Sequence, residues 1–190
     1  MFLKDKYNPK FFKDYLIYKN KISKLRNLTD KGDIPNILFY GQHGNGKYSM
    51  ARCFLNELFK KEIQIEQKII KLRVNNSLKD IELFASPYHF EIDVMKYNSL
   101  LNRTNLINII KMLVSFKEIN GECDYKIILI KNIHNVNHSL AYIKNFIEKY
   151  NDNVRFIFTS SKITNDLKEI LSFFLLFKLP TPSKSEYLDL

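Results

Sequence analysis

The chain is short of the residues that would mark an exported, metal-centred or membrane-spanning protein. Its 190 residues hold two cysteines, Cys53 and Cys123, far from each other and from any histidine cluster. Neither a zinc or redox pair at C-x-x-C spacing nor a disulfide framework is encoded, and both are expected as reduced core thiols. The N-terminus, MFLKDKYNPKFF, lacks the apolar stretch of a secretory signal, and no run approaches the ~20 apolar residues of a membrane span. A soluble, intracellular protein is expected. Acidic residues are the minority, 20 against 30 basic ones, for a net charge of +10 and a pI near 9.4. Such a balance favours a polyanionic partner, nucleic acid before an anionic membrane surface, although a lysine-rich face also serves plain solubility. Low Ala and Gly beside abundant Lys, Asn and Ile fits an A/T-rich genome, which discounts the charge argument. Hydrophobic content of 45%, with 15 Phe and 11 Tyr, suffices for one packed α/β core.

Glycine is also scarce, and three of the five stand together in Gly41-Gln42-His43-Gly44-Asn45-Gly46-Lys47-Tyr48. This is G-x4-G-K, a phosphate-binding loop complete except at its last position. The apolar run Ile37-Leu38-Phe39-Tyr40 precedes it as a buried strand, and helical periodicity follows over 49–61. In that setting the glycines let backbone N–H groups converge on phosphate oxygens at a helix start, and Lys47 adds a full positive charge. The competing reading is a glycine-rich turn with an incidental lysine. Tyr48 stands where a serine or threonine hydroxyl would ligate magnesium, and its phenol is too long for that place. Ser49 lies about 100° further round the helix and is a poor substitute. Polyphosphate binding with weak magnesium affinity follows.

Along the chain, helices are expected at 13–28 (apolar Leu16, Ile17, Ile22, Leu25 and Leu28, ended by Gly32 and Pro35), 49–61, 103–116, 139–150 and 166–171. Strands are expected at 37–40, 88–93, 126–130 and 155–159, with a further apolar run at 173–177; residues 62–87 read as a polar, lysine-rich stretch. The alternation predicts an α/β fold, a P-loop NTPase-like three-layer αβα domain with a mostly parallel central sheet. With no repeat or low-complexity linker, residues 1–190 read as one domain: an arm and helix (1–35), a P-loop core (36–180) and a tail (181–190).

The order of segments resembles the nucleotide-binding domain of AAA+ clamp-loader small subunits of the replication factor C kind. Lys6-Tyr7-Asn8-Pro9 is similar to that family's K-Y-R-P, and Asp33-Ile34-Pro35-Asn36-Ile37-Leu38-Phe39-Tyr40-Gly41 to its D-x-P-H-L-L-F-Y-G. Ser86-Pro87-Tyr88-His89-Phe90-Glu91, Tyr125 to Ile130, Ile147-Glu148-Lys149-Tyr150, Arg155-Phe156-Ile157-Phe158 and Phe177-Lys178-Leu179-Pro180 continue it in order. The resemblance implies ATP or ADP at residues 41–48, with Tyr7 and Pro9 on the adenine side. It also implies other clamp-loader-like subunits, primed or double-stranded DNA and a sliding clamp as partners, and the nucleus or a viral replication site as location. The chain stops where the family's lid would begin, so lid and collar are expected to be missing and ring assembly of the usual kind is put in question.

Departures from the family pattern fall on its chemistry. Where the family carries the Walker B acids D-E-x-D, this chain has Lys131-Asn132-Ile133-His134, and a lysine there repels a metal ion while Asn132 cannot act as a base. His134 reads as a surface residue. Ser160 or Ser161 corresponds to the polar sensor, and Ser172-Phe173-Phe174 replaces S-R-C, removing the arginine finger. The resulting expectation is a pseudo-ATPase that holds nucleotide, or that keeps an empty loop only for its turn. The alternative is a working ATPase with Glu91 or Asp93 as unusual magnesium ligands. For DNA, Arg103 and Lys144 are the leading candidates, with Asn105, Lys111, Asn137 and His138 beside them. For a clamp, Ile109, Met112, Leu113 and Phe116 form the candidate plug, Phe116 foremost, although this spacing more often marks a core face.

Overall fold

In the computed structural model, which describes residues 8–74, 77–97, 103–115, 125–136, 140–184 and 186, the apolar runs form a seven-stranded sheet. Its strands are β1 (Ile37–Tyr40), β2 (Glu66–Val74), β3 (Ser77–Ala85), β4 (His89–Asp93), β5 (Lys126–Lys131), β6 (Val154–Ser160) and β7 (Leu175–Lys178), in the order β2-β3-β4-β5-β6-β1-β7. The helices are α1 (Lys19–Lys31), α2 (Lys47–Leu58), α3 (Arg103–Ser115), α4 (Ala141–Tyr150) and the single turn α5 (Asn165–Lys168). From β4 to β7 every pairing is parallel. β2 and β3 add an antiparallel edge.

Two cores follow from the period-2 alternation of the strands. Ile37 and Phe39 of β1, Ile127 and Leu129 of β5 and Ile157 of β6 bury against Leu25 of α1 and Met50 and Phe54 of α2. The opposite face buries Leu38, Ile128, Ile130, Phe156 and Phe158 against Leu106, Ile109, Ile110 and Leu113 of α3 and Ile143, Phe146 and Ile147 of α4. Strands so covered read as near-continuous apolar runs, which is why β1, β5 and β6 stand out in the sequence.

Two segments differ from the sequence expectation. The first helix begins at Lys19, not at residue 13, because Tyr18 takes a left-handed conformation (φ 64°) and donates its hydroxyl to the Pro180 carbonyl at 2.7 Å. Upstream, the Asp14 carboxylate accepts from the Lys10 and Phe11 amides, both at 2.9 Å, and holds a 3-10 turn over Phe12–Asp14. Local side-chain acceptors of this kind compete with helix formation, and Leu16 is left 58% exposed. Residues 62–87, expected as a polar stretch without strands, contain the β2–β3 hairpin. Its inner face buries Leu72, Ile81 and Leu83, while Ile69 and Leu78 on the outer face are exposed, which blurs the alternation that signals a half-buried strand.

Candidate phosphate-binding site

β1 runs straight into the glycine loop at the carboxyl edge of the parallel sheet, the edge at which open α/β sheets bind ligands. Only glycine fits position 41. Its φ is 153°, and a Cβ there would lie 2.1 Å from the Leu179 carbonyl oxygen. That carbonyl belongs to the segment after β7, which crosses the loop: the Leu179 amide donates to Tyr40 O at 2.7 Å, Asn45 Nδ2 to Leu179 O at 2.9 Å and Thr181 Oγ1 to Gln42 Oε1 at 3.0 Å. Gly46, at φ 72°, caps α2, and its carbonyl accepts from the Met50 amide. The side chains of Gln42 and His43 are exposed.

Lys47 opens α2. Its ammonium turns back into the loop, donating to the carbonyls of Gly41 at 2.9 Å and Gln42 at 2.7 Å. Burial lowers its pKa, and neither acceptor is charged. Phosphate oxygens would be stronger acceptors for the same group.

The next side chain departs from a metal site altogether. The Tyr48 hydroxyl reaches across to β4 and donates to Glu91 Oε2 at 2.8 Å. Lys131, at the end of β5, lays its ammonium over the Tyr48 ring at 4.5 Å and the Phe84 ring at 5.3 Å, with Glu91 Oε2 3.8 Å away. Glu91 is fully buried and further contacted by His89 Nε2 at 2.9 Å and Arg52 NH1 at 3.6 Å. Burial alone would raise its pKa, but the His89 hydrogen bond and charge, the Lys131 ammonium and the Tyr48 hydroxyl outweigh that and hold it below the usual carboxylate range. Asp93 accepts from Asn132 Nδ2 at 2.9 Å and the Met95 amide at 3.0 Å. Glu91 and Asp93, the substitute magnesium ligands weighed above, are thus each engaged with other protein groups. Magnesium demands a near-octahedral oxygen shell. With a phenol tied to Glu91 and an ammonium beside it, these residues do not fit a divalent cation.

The sensor-like serines separate. Ser160 is buried and donates to Lys162 O at 2.5 Å. Ser161 pairs with His134: its amide donates to Nδ1 at 3.3 Å, and its hydroxyl lies 2.7 Å from Nε2, which therefore carries the proton and donates to it. His134 is accordingly half-buried and not the surface residue expected. Burial, then the charges of Lys162, Lys47 and His43, lower its pKa. No sequence signal joined His134 to Ser161, because β6 brings the serine beside the turn after β5.

Of the remaining candidates, the Pro9 carbonyl accepts from Cys53 Sγ at 3.1 Å, and Asn8 Oδ1 accepts from Ser49 Oγ at 3.0 Å, fixing the arm along α2. Cys53 is buried, which pushes its thiol up to about 12. Phe173, at the lost finger position, is half-buried against the core, and Phe174 beside it is core, its ring 4.6 Å from that of Phe158. Lys144 and Lys111 are exposed, as a DNA role requires, whereas Asn105 is only 6% exposed and turned away from solvent. Ile109 and Leu113 are fully buried, so the clamp plug is corrected to a core face, with Met112 half-buried. Tyr7, Phe116, Cys123, Asn137, His138 and the Arg103 side chain lie outside the described residues. Among the described residues no group of three or more His, Cys, Asp or Glu could hold a metal, and no helix is long and apolar enough to cross a membrane.

A glycine loop leaving a central strand, in a parallel array ordered β4-β5-β6-β1-β7, gives this chain the α/β fold of P-loop domains of the AAA+ type. Its solved neighbours agree in fold: the Thermotoga maritima RuvB Holliday junction branch migration motor (TM-score 0.57, 15% identity, 92% of this chain and 48% of that one) and the Aeropyrum pernix ORC1 protein in complex with DNA (TM-score 0.58, 12% identity, 96% and 49%). In sequence the chain is similar to replication factor C subunits. A protein of Acanthamoeba polyphaga mimivirus described as a replication factor C small subunit is 30% identical over 189 residues, covering 96% of this chain and 50% of the relative. Replication factor C subunit 5 of Neurospora crassa is 28% identical (97% and 54%), and subunit 3 of Homo sapiens 26% identical (94% and 51%). The chain spans about half the length of these curated relatives. No family model matches it.

Proposed function

We propose that the chain is a nucleotide-holding, non-hydrolysing module of a clamp-loader-like assembly in DNA replication. The observation that carries this is the Tyr48–Glu91–Lys131 cluster, in which protein groups bond to one another where metal-ligating oxygens would stand. Residues 41–47 supply the amides and ammonium for ATP or ADP, with Tyr48, Tyr7 and Pro9 flanking and Ser160 or Ser161 as the polar sensor. Lys131 and Asn132 bring neither carboxylate to the site, and Phe173 and Phe174 bring no guanidinium for a neighbouring subunit. Transition-state contacts of that kind are each worth about 10²-fold or more in rate, though their losses are not additive. The module would act through binding: to other clamp-loader-like subunits, to a sliding clamp, and to primed or double-stranded DNA through Arg103 and Lys144. Similarity to replication factor C subunits over nearly the whole chain supports that setting.

Nucleotide binding and phosphate release, measured on the same preparation, test the reading. The expected result is saturable ADP or ATP binding that Lys47→Ala abolishes, with phosphate release at the background rate. Steady turnover that Lys47→Ala removes would overturn it in favour of an active ATPase.

A further inference from the structure

The cluster that excludes a metal also contains a cation of its own. Ile127 and Leu129 of β5 face α2, so Lys131, two residues on, emerges on the same side of the sheet, at the carboxyl edge where the glycine loop lies. Its ammonium sits over the ring of Tyr48, the residue next to Lys47 on the first turn of α2. Only 14% of the Lys131 side chain is exposed, so its position is held by packing and not sampled freely in solvent. Yet among the described residues the ammonium makes no hydrogen bond. Glu91 Oε2, at 3.8 Å, is beyond hydrogen-bond range, and the Tyr48 and Phe84 rings attract charge without accepting its protons in the ordinary sense.

Charge is also unbalanced on this side of the loop. Two carboxylates, Glu91 contacted by Arg52 and Lys131 and Asp93 by the neutral Asn132 amide, face three cations, and the Lys47 ammonium meets only neutral carbonyls. Lys47, Lys162 and His43 also stand close enough to His134 to disfavour its protonation. A divalent cation would increase that surplus. A polyphosphate would neutralise it and supply the missing acceptors.

We propose that the Lys131 ammonium does for a bound nucleoside polyphosphate what a divalent cation does in other phosphate-binding loops, so that the nucleotide is held without metal. This rests on the reading of residues 41–47 as a nucleotide site. Tyr48 has a positioning part in it: its hydroxyl, bonded to Glu91, holds the ring on which the ammonium rests.

Calorimetric titration of ADP and ATP into the full chain, in magnesium and in excess EDTA, tests the proposal without any substitution. The dissociation constant is expected to agree within about threefold between the two conditions, since no ligand set for the ion is present. Lys131→Met should then weaken binding by about 10- to 100-fold, the worth of a hydrogen bond to a charged group, while Lys131→Arg retains most of it. Thermal melting of both variants checks that the fold is intact. Binding that collapses in EDTA, or that a folded Lys131→Met leaves unchanged, overturns the inference but leaves the nucleotide reading standing. Absence of binding in both buffers would instead remove the nucleotide reading itself.

Discussion

The two halves of the phosphate site differ in what they are made of. The loop from Gly41 to Lys47 acts through backbone: φ values open to glycine, a carbonyl packed where a Cβ would be, and amides at a helix start. The opposite wall acts through side chains: Tyr48 donates to Glu91, the Lys131 ammonium lies beside both, and Asn132 donates to Asp93. Backbone geometry here is locked by sterics and by the strap over Leu179, so any substitution that preserves the fold preserves the cradle. Side-chain chemistry has no such lock. A phenol and an ammonium can replace a hydroxyl and a carboxylate provided that the buried charge of Glu91 is still satisfied.

The backbone half is the harder to alter, and Gly41→Ala is the sharpest way to show it. A methyl group 2.1 Å from a main-chain oxygen forces either the loop or the strap to move, on a backbone conformation that already disfavours a side chain. A loss of about 3 kcal/mol is expected in urea unfolding, from strain and overpacking together. An unchanged midpoint would mean that the 179–181 segment lifts off freely and that the loop is not braced from above.

The side-chain half predicts a comparable loss by a different route. Glu91→Ala leaves His89, Tyr48, Arg52 and Lys131 facing a void, and breaking a buried charge network of this kind costs roughly 3 kcal/mol. Its pH signature distinguishes it from Gly41→Ala. The folded-state pKa of Glu91 is depressed, so its stabilisation is fully present above the unfolded carboxyl value of 4.5 and is lost as the pH falls through the lower folded value. Stability of the native chain should therefore fall in that acid window, and Glu91→Gln should flatten that part of the curve. An identical acid limb in Glu91→Gln would assign the effect to other carboxylates.

The same division explains what could be read without coordinates. The loop, β1, β5 and β6 were legible because glycine spacing and unbroken apolar runs are local signals. Residue identity alone also set Tyr48, Lys131 and Asn132 apart from metal-ligating side chains. What replaced them was not legible: Tyr48 meets Glu91 over 43 residues of sequence, and His134 meets Ser161 over 27. Such pairs exist only because the fold lays the start of α2 against β4 and sets β6 beside the turn after β5. The hairpin at 66–85 escaped for a related reason, its outer face carrying Ile69 and Leu78 where alternation calls for polar residues. Asn105 and the pair Ile109 and Leu113 show the limit of helix periodicity, which finds an apolar face but does not say whether that face meets solvent or a sheet.

The smallest expected effect lies furthest from the phosphate site and bears on whether the basic surface has a use of its own. Lys144 is exposed, its ammonium 5.7 Å above the Phe173 ring, and a single contact of that sort at the surface is worth about 0.5 kcal/mol. Removing it should therefore leave thermal stability nearly unchanged, and Arg103 is removed with it for the salt titration. If both cations meet phosphates of a duplex, the slope of log affinity against log salt should fall by about 1.8, since each neutralised phosphate contributes about 0.9. Loss of stability without a change in slope would make Lys144 a packing residue over Phe173. An unaltered slope with intact stability would move the DNA-facing surface off α3 and α4 and leave the net charge of +10 to be explained by other faces of the domain.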